Sequence, residues 1–326
     1  MSTTPSTSRR GAAKAPGPET QLDLFRTKSD RPTLVWQLTN RGFGSEINVM
    51  LLAILYCLDK GYNFLLYSRS SNLSYKHGWR DYFLPFCHEV DHFALRRALI
   101  FNKRTLFVRS ILAVQRACLL LAIPGPFFLT QDKWGEIWNS NFQGKRFFMG
   151  PDFDIDSYTA CRTILLAIWR LNSTIQYAVT RIESEGIAGN APYCTIHIRR
   201  GDKVSEAAHV PIHKYMEKVR EVNPGIVKVF VMTDDFHVIQ DLAKEYPSVQ
   251  FSTLCAQDRT GHIQQYFNRA SKTYRRAEIC RLLAELEIAR KGDFFVGTSS
   301  SNIGRLVCLL RGNETTHGID DPKAVI

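Results

Sequence analysis

From residue 193 onward, short apolar runs alternate with longer amphipathic stretches, and that rhythm restricts the second half of this chain to few folds. Residues 193–198, 227–232, 249–251 and 294–296 read as strands; 212–222, 238–245, 271–291 and 302–310 read as helices. Apolar strands separated by helices pack as a parallel sheet covered on both faces, the nucleotide-binding kind of α/β fold. Ligands of such sheets sit beyond the carboxyl ends of the strands. Three polar segments, 199–203, 233–235 and 297–301, fall at such ends and converge on one candidate site.

The first half is less regular. Residues 33–38 read as a strand, Gly42 and Gly44 as a tight turn, 47–60 as a helix and 63–67 as a second strand. Residues 79–150 are mixed, with one apolar helix near 109–122, and 158–184 reads as one long helix. Gly186, Gly189 and Asn190 then mark a boundary. The expected division is a disordered tail over 1–32, an N-terminal α/β domain over 33–188 and a C-terminal Rossmann-like domain over 189–326.

Of the 326 residues, 44% are apolar, enough for two cores. Lys and Arg number 42 against 31 Asp and Glu, a formal charge of +11 that favours an anionic ligand. Neither zinc-finger spacing nor an RNP-type aromatic motif is present, so nucleic acid is not the expected partner. The eight cysteines never fall at a C-x-x-C spacing, which suggests neither zinc nor a dithiol redox site. The most apolar stretch, 111–129, carries Gln115 and Arg116 and is broken by Pro124 and Pro126, short of a spanning helix.

The most informative motif is Cys194-Thr195-Ile196-His197-Ile198-Arg199-Arg200-Gly201-Asp202-Lys203. A buried strand ends in a cationic fork, and a glycine lets the backbone turn away. Arginine presents planar paired donors that match a phosphate, so a diphosphate is the natural guest. One carboxylate, Glu206, follows just beyond, before His209 and Pro211. Taken alone, the same residues also describe a strand leaving the core into a solvated charged loop.

The pattern His-x-Arg-Arg-x-Asp-Lys, followed by Glu206-Ala207-Ala208 and His209, resembles the α1,6-fucosyltransferases, a family of animal core N-glycan enzymes and rhizobial chitin-oligosaccharide enzymes. The resemblance continues through Thr233-Asp234-Asp235, the run from Asp293 to Ser301, and upstream Asn40-Arg41-Gly42-Phe43-Gly44. It implies two Rossmann-like domains facing a cleft, the GT-B arrangement, with GDP-fucose as donor and a glycan as acceptor. No metal is expected in this family, because arginine and lysine stabilise the leaving diphosphate. By resemblance Arg199 and Lys203 take that role, and Glu206 is the general base, one residue nearer to the lysine than in the animal enzymes. The same resemblance sets His197 and Glu285 against guanine, with Arg200, Asp202, Gly42, Gly44, Asp234, Asp235, Ser299, Ser300 and Ser301 around the donor.

Each of these residues also has a plainer reading. His197 could be a core histidine, and Lys203 and Glu206 could be solvated side chains. Asp234 and Asp235 could orient Arg199, cap a helix or hold a metal, the first two being preferred. Ser299, Ser300 and Ser301 offer N–H groups at a helix start, for a phosphate or for simple capping. Glu285 could pair with Arg281 one turn earlier. Gly201 is nearer to the α1,2-fucosyltransferase motif, whereas Lys203, Glu206 and the Asp234-Asp235 pair favour α1,6. Protein O-fucosyltransferases, or a non-catalytic GDP-sugar-binding protein on the same fold, are the remaining alternatives. The family's Golgi members carry an N-terminal anchor that this sequence does not show. The expectation is therefore a cytoplasmic enzyme of rhizobial type, or a chain without its native anchor.

Overall fold

The computed structural model of the chain describes residues 25–91, 106–120, 122–149, 154–187, 192–201 and 209–320. The first half is built on three parallel strands in the order β2-β1-β3: β1 at Thr33–Gln37, β2 at Asn63–Tyr67 and β3 at Phe127–Leu129. Strands β1 and β2 are buried along their whole length, which is why they read as short apolar runs without alternation. Helix α1 (Phe43–Lys60) crosses between them. It ends at Gly61, whose φ of 68° lets the amides of Gly61 and Tyr62 turn back onto the carbonyls of Leu58 and Cys57.

Helices α2 (Leu106–Leu119) and α3 (Thr130–Trp138) flank β3 in sequence, and an antiparallel pair, β4 (Arg146–Phe148) and β5 (Asp154–Asp156), leads to α4 (Ser157–Ile168) and α5 (Ser173–Gly186). The one long helix expected over 158–184 is thus two. Asn172 is extended (φ −69°, ψ 160°), and its side chain accepts the Ile175 amide at 2.9 Å, so it caps a new helix. The break frees the Trp169 indole N–H to reach Glu287 at 2.9 Å.

In the second half, β6 (Cys194–Ile198), β7 (Lys228–Thr233), β8 (Gln250–Ser252), β9 (Phe295–Gly297) and β10 (Thr316–Gly318) form one parallel sheet ordered β10-β9-β6-β7-β8. Helices α6 (Ile212–Val222), α7 (His237–Glu245), α8 (Gln264–Arg269), α9 (Lys272–Lys291) and α10 (Asn302–Arg311) accompany it. Strands β6 to β9 and helices α6, α7, α9 and α10 lie close to their expected positions; β10 and α8 were not anticipated. No helix among the described residues is long and apolar enough to cross a membrane.

Helices α4 and α5 pack against α10 and α9, and α1 packs against both α4 and α10. One hydrophobic core therefore runs from Trp36 and Ile47 through Phe83 to Leu283 and Leu306, joining the two halves. A second core lies on the other face of the larger sheet, under α6 and α7. At the junction, Gly44 in the first turn of α1 sits where an added Cβ would lie 3.1 Å from the Asn302 carbonyl. The Asn48 side chain donates to the same carbonyl at 3.0 Å. Two helix N-termini, one following β1 and the other following β9, are thereby brought to one place.

Phe83 anchors the aromatic part of this core. It is 2% exposed, with Trp79 stacked 4.3 Å away and Trp169 at 5.2 Å between centroids. Phe83→Ala is expected to lower the unfolding free energy by about 3–5 kcal/mol; urea denaturation measures it.

Candidate active site

Between the two sheets lies a cavity of about 570 Å³, within the range of small-molecule sites. Its first-half wall comes from residues 40–45 after β1, together with Leu73 and Trp138. His197, Arg199, Thr233 and Asp234 at strand ends supply the other wall, with Glu285, Arg281 and Glu278 from α9. Of the residues singled out in the sequence, Gly42, Gly44, His197, Arg199, Asp234 and Glu285 line this one space.

Asp234 organises the floor. Its carboxylate accepts the backbone N–H groups of Arg200 (2.7 Å), Gly201 (3.0 Å) and His262 (3.2 Å). It thus ties the turn after β6 to the loop before α8. A Cβ on Gly201 would fall 2.3 Å from the His262 carbonyl oxygen, so the close crossing of these segments requires glycine there. Arg200 turns away from the cavity and donates to the Val210 carbonyl at 3.0 Å. Asp235 accepts the His237 amide at 3.0 Å at the start of α7, a capping role.

His197 is 8% exposed, and its Nδ1 has no hydrogen-bond partner among the described residues. Burial, opposed by Asp234 and reinforced by Arg199, lowers its pKa to about 4, so the ring is neutral at pH 7. Glu285 is 4% exposed and its Oε1 accepts from Arg281 at 2.7 Å. Arg281 also reaches Glu278 at 3.1 Å, and Glu278 in turn pairs with Arg259. Burial raises the Glu285 pKa, against the pull of Arg281. Burial lowers that of Arg281, but Glu285 and Glu278 outweigh it and hold the guanidinium charged, its pKa above normal. The pairing of Arg281 with Glu285 and the exposure of Glu285 to the cavity therefore coexist.

The helix start at 299–301 has a different arrangement. Asp320 accepts the amides of Ser299 at 2.5 Å and Ser300 at 2.9 Å, and the three serines lie off the cavity wall while Asn302 and Ile303 lie on it. On the opposite side, Glu46 is buried in α1. It accepts the Thr39 hydroxyl and the Arg41 amide, which fixes the turn into Gly42. Asp202, Lys203 and Glu206 lie outside the described residues. Among the described residues there is no group of His, Cys, Asp and Glu arranged to hold a metal ion.

Arg259, Glu278, Arg281, His262, Arg41 and Trp138 were not picked out as site residues from sequence. The Asp258-Arg259-Thr260-Gly261-His262 run did carry a signal, a charged glycine-containing loop following a strand.

The family model for the α-(1,6)-fucosyltransferase N- and catalytic domains matches residues 162–316. That stretch carries the chain's likeness to the α1,6-fucosyltransferase family. The fold resembles the fucosyltransferase NodZ from Bradyrhizobium, with 15% identity over 86% of this chain and 94% of that one and a TM-score of 0.50. It also resembles a variant of Arabidopsis thaliana FUT1 in complex with GDP, with 11% identity over 90% and 72% of the two chains and a TM-score of 0.51. No curated protein sequence matches the chain.

Two outcomes follow from the site. Asp234→Ala strands three backbone donors and is expected to lower stability by about 1.5–3 kcal/mol in urea denaturation. His197 titrates at 6.5 when unfolded and at about 4 when folded, so the unfolded chain binds the proton first as pH falls. Its contribution to stability is complete above pH 6.5 and is lost progressively down to about pH 4. Over that window the stability of His197→Gln should fall less steeply with acid than that of the unsubstituted protein, as read from urea midpoints.

Proposed function

We propose that the protein is an inverting, metal-independent fucosyltransferase that moves L-fucose from GDP-β-L-fucose to a GlcNAc-containing glycan. The observation that carries this reading is a single cavity lined by Arg199, a buried carboxyl group at Glu285 and an unpartnered histidine nitrogen at His197. A purine base carrying N–H donors complements Glu285, and a diphosphate complements Arg199. NodZ has been co-crystallised with GDP, in a structure 15% identical over 86% of this chain with a TM-score of 0.50.

The reaction is one displacement. The acceptor hydroxyl oxygen bonds to the anomeric carbon, the bond from that carbon to the GDP oxygen breaks, and Glu206 takes the hydroxyl proton. Attack from the face opposite GDP turns the β donor into an α product. The transition state is oxocarbenium-like, and negative charge grows on the departing diphosphate. Arg199, assisted by Lys203, stabilises that charge, as a preorganised cationic donor in a water-poor site can do. Asp234 positions the turn that carries the cationic segment.

An α1,6 linkage is favoured by Lys203, Glu206 and the Asp234-Asp235 pair. Gly201 need not speak for the α1,2 motif, because the His262 carbonyl alone requires glycine at that position.

The test is a transfer assay with GDP-fucose, EDTA and acceptors containing chitobiose, reading released GDP and fucosylated product. Product should form in EDTA. Glu206→Gln should lower kcat by about 10²–10⁴-fold with GDP affinity retained. Arg199→Ala should lower both kcat and GDP affinity. Failure of the unsubstituted protein to bind GDP-fucose would overturn the reading.

A further inference from the structure

The first-half wall of the cavity carries one feature that donor binding does not account for. Trp138, the last residue of α3, lines the cavity yet is 58% exposed. Its ring is held from behind. Trp134 stacks on it at 5.7 Å and 18°, and Trp36 from β1, itself 2% exposed, stacks on Trp134 at 5.8 Å and 18°. The Arg41 guanidinium sits 4.1 Å from the Trp134 ring centre. An isolated exposed aromatic is ordinary on a protein surface. An exposed indole fixed by a column of rings rooted in the core, on the wall of the reaction cavity, is a prepared contact surface.

We infer that Trp138 is the platform on which a pyranose ring of the acceptor glycan stacks; the inference rests on the function proposed above. One face of a β-linked GlcNAc ring presents axial C–H groups and is apolar, while its edge carries hydroxyls. An indole presents a flat apolar body suited to that face and has no hydrogen-bond acceptors to satisfy. Asn40 and Ser45 share the same wall and offer polar groups to the sugar edge. The rival occupant is the guanine base. Its hydrogen-bonding partners, Glu285 and His197, lie on α9 and β6 in the opposite half, which leaves the wall at Trp138 to the other substrate. Because the stacked column is already in place, the ring loses little freedom on binding, and the gain goes into acceptor affinity.

The experiment compares the unsubstituted protein with Trp138→Ala and Trp138→Phe. GDP affinity is measured by calorimetry, chitotetraose binding to the GDP-loaded protein by saturation-transfer NMR titration, and acceptor KM by the transfer assay. Trp138→Ala is expected to raise the chitotetraose Kd and the acceptor KM about five- to tenfold, the size of a lost aromatic contact. GDP affinity should stay within about twofold, and Trp138→Phe should restore most of the loss. Weakened GDP binding with chitotetraose binding intact would assign the ring to the base and overturn the inference. Unchanged values throughout would make Trp138 an ordinary surface residue, and a GDP-loaded protein that binds no chitotetraose would likewise overturn it, leaving the donor reading standing. Chitotetraose binding that depends on Trp138 in a protein unable to bind GDP would sink the donor reading instead and keep the platform.

Discussion

Everything at this site depends on the contact between the first turn of α1 and the first turn of α10. Gly44 has no Cβ, so the Asn302 backbone can approach to within van der Waals distance, and Asn48 locks the approach with a hydrogen bond. Each helix begins where a strand of its own sheet ends. Bringing the two N-termini together therefore forces the carboxyl edges of both sheets toward one cavity. The positive ends of two helix dipoles meet there, and they add to the arginines in favouring an anionic guest. A side chain at position 44 would press on the Asn302 backbone and on Ile303, at the junction of the two halves.

Charge is handled differently on the two walls. On the second-half wall, Arg259, Glu278, Arg281 and Glu285 alternate in sign as a continuous chain, so each buried charge has a neighbour of opposite sign. Glu285 is thereby paired with Arg281 despite its burial and still faces the cavity. On the first-half wall, a buried carboxylate, Glu46, holds backbone and hydroxyl donors instead and shapes the glycine turn. Asp234 does the same work beneath the cationic segment. Carboxylates that accept several N–H groups act as staples for irregular chain.

Most of the second half was legible because its strands are wholly buried and therefore apolar without interruption, as at β6 and β7. The cationic segment and Asp234 were legible for a related reason: in a parallel sheet, polar residues directly after such strands have few places to go. The first half was harder. Helix α3 is largely polar and short, so its two tryptophans look like surface residues until their stacking on Trp36 is seen. The division of α4 from α5 turns on a single Asn172 cap inside an apolar period that runs on unbroken. The role of Asp320 was invisible for want of any local pattern; only the fold brings it to the amides of Ser299 and Ser300.

The aromatic column has an optical consequence. The chain has five tryptophans, and Trp36, Trp134 and Trp138 stack in sequence from the core to the cleft. Rings this close exchange excitation, so light absorbed at the buried end can be emitted from the exposed one. Trp79 and Trp169 sit apart from the column, against Phe83. The protein thus carries two indole populations, one reporting on its packed interior and the other on the wall of the cavity between its sheets.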